Sequence, residues 1–138
     1  MIQYLYNRKG VCAVEYLVLL IAVMLLVPLM ILIFGIIFIK KPPKTINSIY
    51  GYRTEYSTKS QDTWDFAHKM MGKLWVIIGT VLLPLSFAVP IIFNIFFMEQ
   101  LDAACAVIVW VQVISIILSI IPVEQALKRS FDANGNKK

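Results

Sequence analysis

Three long stretches without a charged side chain decide what this chain can fold into: Tyr16–Ile39, Leu74–Phe97 and Ala103–Ile121. At about 1.5 Å per helical residue, the first reaches roughly 36 Å, enough to cross a ~30 Å hydrocarbon layer with some tilt. Hydrophobic residues make up 59% of the 138 and charged ones only 15%. A soluble domain carries about a quarter charged residues. A core of this size could not bury three such runs, so the expected fold is an all-α integral membrane protein with three transmembrane helices.

The spans carry their own punctuation. Lys40 and Lys41 end the first, and Pro28 removes a backbone donor inside it, which predicts a kink. The second holds Pro84, Pro90 and Asn94. Carbonyls freed by prolines need partners that lipid cannot supply, so this helix should pack against protein. Pro122 closes the third, which carries Gln112. Asn94 and Gln112 are each expected to hydrogen-bond a neighbouring helix. The link Met98–Asp102 is so short that spans two and three must form an antiparallel hairpin.

Basic residues set the expected orientation. The first loop holds Lys40, Lys41, Lys44, Arg53, Lys59, Lys69 and Lys73, and the tail holds Lys128, Arg129, Lys137 and Lys138. The hairpin link carries only Glu99 and Asp102. Loop and tail share a side by parity, so both should be cytoplasmic, with the N-terminus outside. Arg8 and Lys9 oppose this weakly. The first apolar run is too long for the core of a secretory signal, so no cleavable signal is expected.

Two short amphipathic helices are expected at the membrane surface. In the loop, Pro42 and Pro43 hold the chain extended. Ser60 can cap a helix from Gln61 to Met71, with Asp62 in its first turn and Gly72 as its stop. Trp64, His68 and Met71 share one stripe, with Phe66 and Met70 beside it. In the tail, Val123, Leu127 and Phe131 make an apolar line, and the end after Asn134-Gly135 should be loose.

Signatures of enzymes are absent from the sequence. It has one histidine, His68, and no P-loop, GxSxG, GxGxxG or metal-ligand cluster. No enzyme activity, cofactor or metal is expected, and no direct nucleic-acid binding. Anionic lipid explains the basic loop better. Cys12 and Cys105 read as thiols packed among apolar side chains, with a disulfide between them left open.

The most distinctive segment is Gly51-Tyr52-Arg53-Thr54, followed by Ser57, Trp64, Ala67 and His68. Gly51 permits a tight or positive-φ turn. Arg53 offers a fork of donors suited to a carboxylate or phosphate. It could pair with Glu55, Asp62 or Glu124 and pin the loop, or it could contact a partner or lipid phosphate. Trp64 reads as an interfacial or core anchor, and His68 as a packing residue.

These residues, with Ile121-Pro122-Val123-Glu124-Gln125-Ala126-Leu127 and Phe131-Asp132, resemble the SdpI family of bacterial membrane proteins. The resemblance runs from about Pro42 to Gly135. It implies a domain over residues 42–138, preceded by an N-terminal segment and first helix over 1–41. It also implies a place in the bacterial cytoplasmic membrane and a set of residues to watch: Gly51, Tyr52, Arg53, Thr54, Trp64 and Glu124. The name-giving members confer immunity against a secreted toxin peptide and hold a transcriptional repressor at the membrane. Partners implied are therefore the lipid bilayer, a membrane-active toxin peptide and a cytosolic repressor. Those members have an additional N-terminal membrane portion, whereas this chain resembles a short form.

Two other readings stand beside it. One is an oligomeric transporter or channel subunit, since three helices enclose little space and any pore would need several copies. The other rests on Arg8-Lys9-Gly10 followed by Val11 to Tyr16 with Glu15, which resembles the leader of Flp-type pilins cut after Gly10.

Overall fold

A computed structural model describes residues 2–138, with side chains described from Val14 onward. Three helices follow in order: α1 (Ile2–Lys40), α2 (Gln61–Phe96) and α3 (Leu101–Ser130), with one 3-10 turn at Met98–Gln100 joining the last two. All three are long and apolar enough to cross a membrane. The arrangement is all-helical apart from a single bridge between Phe131 and Lys137. The hairpin of α2 and α3 follows from its short link, as expected. The leader motif ending at Gly10 and the side chain of Cys12 lie outside the described side chains, and Cys105 is buried.

α2 is the centre of the bundle. It packs on α1 along one side and on α3 along the other, while α1 and α3 meet at few points. The α1–α2 seam is built on glycine. A Cβ on Gly72 would lie 2.9 Å from the carbonyl oxygen of Gly35, and one on Gly79 would lie 3.1 Å from the backbone nitrogen of Leu32. Small residues let helices approach backbone to backbone, which supplies the van der Waals contact that holds helices together in lipid.

This seam corrects the expectation that Gly72 stops a helix. Gly72 keeps a helical backbone, and the positive-φ glycines are Gly51 and Gly135. Its missing side chain serves packing instead of termination. The segment 61–71 is therefore not a separate interfacial helix but the first three turns of α2. Its stripe of Trp64, Ala67, His68 and Met71 faces protein and is fully buried. The tail is corrected in the same way. α3 runs on through Pro122 to Ser130, and Val123, Leu127 and Phe131 pack with Ala67, Met71, Phe38 and Tyr52 in one core. The end beyond it is tied down as well. Ser60 Oγ donates to the Gly135 carbonyl at 2.8 Å, and Lys59 Nζ to that of Ala133 at 2.8 Å.

Ser60 is the N-cap of α2, as expected: its hydroxyl accepts from the Thr63 amide, and the Thr63 hydroxyl accepts from the Ser60 amide. The two reciprocal bonds satisfy donors that a helix start otherwise leaves open.

One polar residue inside the bundle answers a proline. Pro28 has no N–H to give the carbonyl four residues back, that of Met24. Gln112 from α3 fills the gap, donating to the Met24 carbonyl at 3.0 Å and to Ser86 Oγ at 2.8 Å. Ser86 in turn donates to the Leu82 carbonyl at 2.8 Å. Gln112 thus joins all three helices, as expected, whereas Asn94, of which the same was expected, makes no side-chain hydrogen bond to a neighbouring helix among the described residues.

Two expectations follow. Gln112→Leu should destabilise the bundle by about 1–2 kcal/mol through the stranded Met24 carbonyl. In a Pro28→Ala background the same change should cost clearly less, because alanine at that position restores the missing N–H donor; a double-mutant cycle of unfolding in detergent measures the coupling. Second, cysteines at Glu55 and Glu99, exposed at opposite ends of the bundle, should react with an impermeant thiol reagent from opposite sides of the membrane once Cys12 and Cys105 are replaced.

Candidate functional site

Between α1 and α2 the chain lies over the projecting start of α2 and is held there by its side chains. Trp64 Nε1 donates to the Pro43 carbonyl at 2.7 Å, and Gln61 Nε2 to that of Lys44 at 2.9 Å. Asn47 Oδ1 accepts from the amides of Ile49 and Tyr50, turning the chain towards Gly51. The turn brings Gly51 against two rings. Its φ is +125°, and a Cβ there would lie 2.5 Å from His68 Nε2 and 3.0 Å from the Trp64 ring. Glycine is required on both counts, for backbone angle and for space.

The next residue is gripped by the same histidine. The Tyr52 amide donates to His68 Nε2 at 2.8 Å, and His68 Nδ1 lies 2.7 Å from the Trp64 carbonyl. One nitrogen must accept and the other must donate, which fixes a neutral imidazole with its proton on Nδ1. Trp64 and Phe38 pack on that imidazole, with ring centroids at 4.3 and 4.9 Å. His68 is therefore a buried pin for the loop backbone. Trp64, fully buried, is a core anchor.

Tyr52 reaches across to α3. Its hydroxyl donates to Glu124 Oε1 at 3.0 Å. Burial, then the bond to Glu124, pushes the Tyr52 hydroxyl pKa well above its ordinary 10.0. It is protonated at neutral pH and acts as the donor. Thr54 and Ser57 close the turn: the Thr54 amide donates to Ser57 Oγ at 2.8 Å, and the Ser57 amide to Thr54 Oγ1 at 3.2 Å. The buried Ser57 hydroxyl also reaches the Tyr52 carbonyl at 3.0 Å.

Arg53 stands apart. Its expected pairing with Glu55, Asp62 or Glu124 is not what the structure shows. Glu124 is taken by Tyr52, Glu55 lies 3.9 Å from Lys59, and Asp62 lies 3.5 Å from Lys137. The Arg53 guanidinium donates to the Ser48 carbonyl at 2.7 Å, and the residue is exposed. The motif thus divides into residues spent on holding the turn and one residue presented by it.

Residues 44–123 match the SdpI/YfhL protein family. The chain belongs to the SdpI family. It is 34% identical over 80 residues, 56% of this chain and 71% of the relative, to a Bacillus subtilis (strain 168) protein described as uncharacterized protein YfhL. No solved structure matches. The family match makes this chain a multi-pass membrane protein of the SdpI type, and it spans the Gly51 turn, the hairpin and the start of the α3 extension.

Of the residues the sequence singled out, Gly51, Tyr52, Trp64, His68 and Glu124 come together in one cluster, with Thr54 closing the same turn. Sequence reasoning missed the Tyr52–Glu124 bond and the clasp of Ser60 on Gly135. The signal for the clasp was present in the Asp132 to Asn136 turn, where Asp132 Oδ1 accepts from the amides of Asn134 and Asn136. Among the described residues no group of His, Cys, Asp and Glu is arranged to hold a metal.

The cluster ranks its own substitutions. Gly51→Ala should cost more than about 2 kcal/mol through backbone strain and the clash with His68. Tyr52→Phe should cost about 1–3 kcal/mol, because Glu124 loses a donor, while Glu124→Gln, which keeps an accepting oxygen, should cost less. The wild-type advantage over Tyr52→Phe should be complete below pH 10 and fade as the pH rises beyond the ordinary tyrosine pKa. Thermal unfolding in detergent checks both the order and the pH dependence.

Proposed function

We propose that this chain works by recognition, as an immunity or signalling protein of the SdpI type, and not as an enzyme. The observation that carries this reading is the exposed Arg53 on a turn whose other motif residues are all engaged. A rigid turn that presents one guanidinium suits the capture of a carboxylate or phosphate on a partner, since the fork geometry binds such groups with two parallel hydrogen bonds. The loop and tail, on the cytoplasmic side by the basic-residue count, offer one joined surface on which a cytosolic regulator docks. A membrane-active toxin peptide would be met by the same end of the bundle from within the bilayer.

The test is survival. A deletion strain is complemented with wild type, Arg53→Ala or Lys44→Ala at equal membrane expression, then challenged with membrane-active peptides and with the strain's own culture supernatant. Protection by wild type and by Lys44→Ala, with at least a tenfold loss for Arg53→Ala, is the expected result. Equal protection by all three would remove Arg53 from the mechanism. Failure of wild type to protect would overturn the immunity role and leave docking of a regulator, read by co-purification of a soluble protein that depends on Arg53.

A further inference from the structure

Where α1 leaves its apolar run, a recess of about 730 Å³ opens between the end of α1 and the projecting turns of α2. Four ammonium-bearing side chains line it from three segments: Lys40 from the last turn of α1, Lys41 and Lys44 from the following chain, and Lys69 from α2. Asp65 is the one carboxylate among them, and it already accepts from Gln61 Nε2 at 2.7 Å. The ion pairs among the described residues, Lys59 with Glu55 and Lys137 with Asp62, use none of these four lysines.

The chain that carries Lys44 is held against α2. Pro43 and Lys44 are hydrogen-bonded through their carbonyls to Trp64 and Gln61 on α2. The floor is apolar, from Phe38 and Ile39, and Ile39 is among the exposed apolar side chains of α1. Basic rim, apolar floor and a position at the end of a spanning run together match the depth at which a phospholipid keeps its phosphate above its glycerol and acyl chains.

We propose that this recess is a binding site for the headgroup of an anionic phospholipid, with Lys44 and Lys69 as its principal phosphate contacts. With Asp65 as the one carboxylate beside them, the four ammonium groups leave the recess with a net positive charge, which a phosphate offsets. A soluble phosphate would gain the charge but not the apolar floor, which is why the lipid is the occupant. The site is separate from the Arg53 turn, so it stands or falls independently of the immunity reading.

The experiment uses the purified full chain in a neutral detergent, titrated with phosphatidylglycerol or phosphatidylcholine and read by native mass spectrometry. Wild type should retain phosphatidylglycerol in preference to phosphatidylcholine. Lys44→Gln/Lys69→Gln should lose roughly tenfold or more of that affinity, at about 1 kcal/mol per lysine near a membrane surface. Arg129→Gln/Lys138→Gln, which removes the same charge at exposed positions elsewhere, should stay within about twofold, and Lys69→Arg should bind like wild type. Circular dichroism establishes that all variants fold. Equal losses for the two double variants would reduce the effect to net charge and overturn the site. So would the absence of a preference for phosphatidylglycerol in wild type. Displacement of phosphatidylglycerol by an equal concentration of glycerol 3-phosphate would reassign the recess to a free phosphate.

Discussion

α2 is longer than a membrane is thick, and the rest of the structure is arranged around that excess. Its 36 residues extend roughly 54 Å, against a hydrocarbon layer of ~30 Å. The uncharged run of this helix starts only at Leu74, and the three turns before it carry Trp64, Ala67, His68 and Met71 on one face. An apolar stripe in that position needs a cover. The chain between α1 and α2 covers one flank and the extension of α3 covers the other. What forms is a small folded unit on the end of a membrane bundle, with a core of its own made from three separate parts of the sequence.

Inside the bundle a different rule operates. The backbone carbonyl that Pro28 releases finds its donor within the protein, since lipid can supply none. Pro28 and Gln112 lie 84 positions apart in sequence, yet the one creates the need that the other meets. This is a more specific form of adhesion than apolar contact, which does little to favour protein over lipid. The glycine seam between α1 and α2 is the second form, and it works by subtraction: Gly35, Gly72 and Gly79 bring backbones together by offering nothing that would hold them apart.

Much of this was legible in the sequence. The three spans, the hairpin, the Ser60 cap and the interhelical role of Gln112 follow from uncharged length, link length, capping chemistry and the cost of an unsatisfied amide. The positive φ of Gly51 and the alignment of Trp64, His68 and Met71 on one stripe follow from residue type and period, but the stripe was expected to lie in the membrane surface and is buried against protein instead. The errors share a cause. Gly72 and Pro122 read as helix ends because glycine and proline end helices in water, whereas here tertiary packing carries each helix through them. Of the two readings open for Arg53, pairing with Glu55, Asp62 or Glu124 is not what forms, because charge alone cannot choose among carboxylates that have other partners. The register of α3 against the loop gives Glu124 to Tyr52 instead, and nothing local in the sequence encodes that register. The pattern around 123–131 was read correctly as amphipathic, but period cannot say whether an apolar face meets lipid headgroups or another helix.

The thin interior of the spans has a consequence for how this chain can vary. In the most apolar stretch of each helix, 17%, 22% and 17% of residues are buried within the protein. The remaining positions are apolar because their solvent is lipid, and lipid has no shape to match. Leucine, isoleucine, valine and phenylalanine are interchangeable there in a way that they are not beneath Tyr52 or along the Gly35–Gly72 seam. The usual contrast between a constrained interior and a permissive exterior therefore becomes a contrast between two ends of one molecule. The stretch that crosses the bilayer tolerates exchange within a narrow alphabet, while the projecting unit beyond it fixes individual atoms.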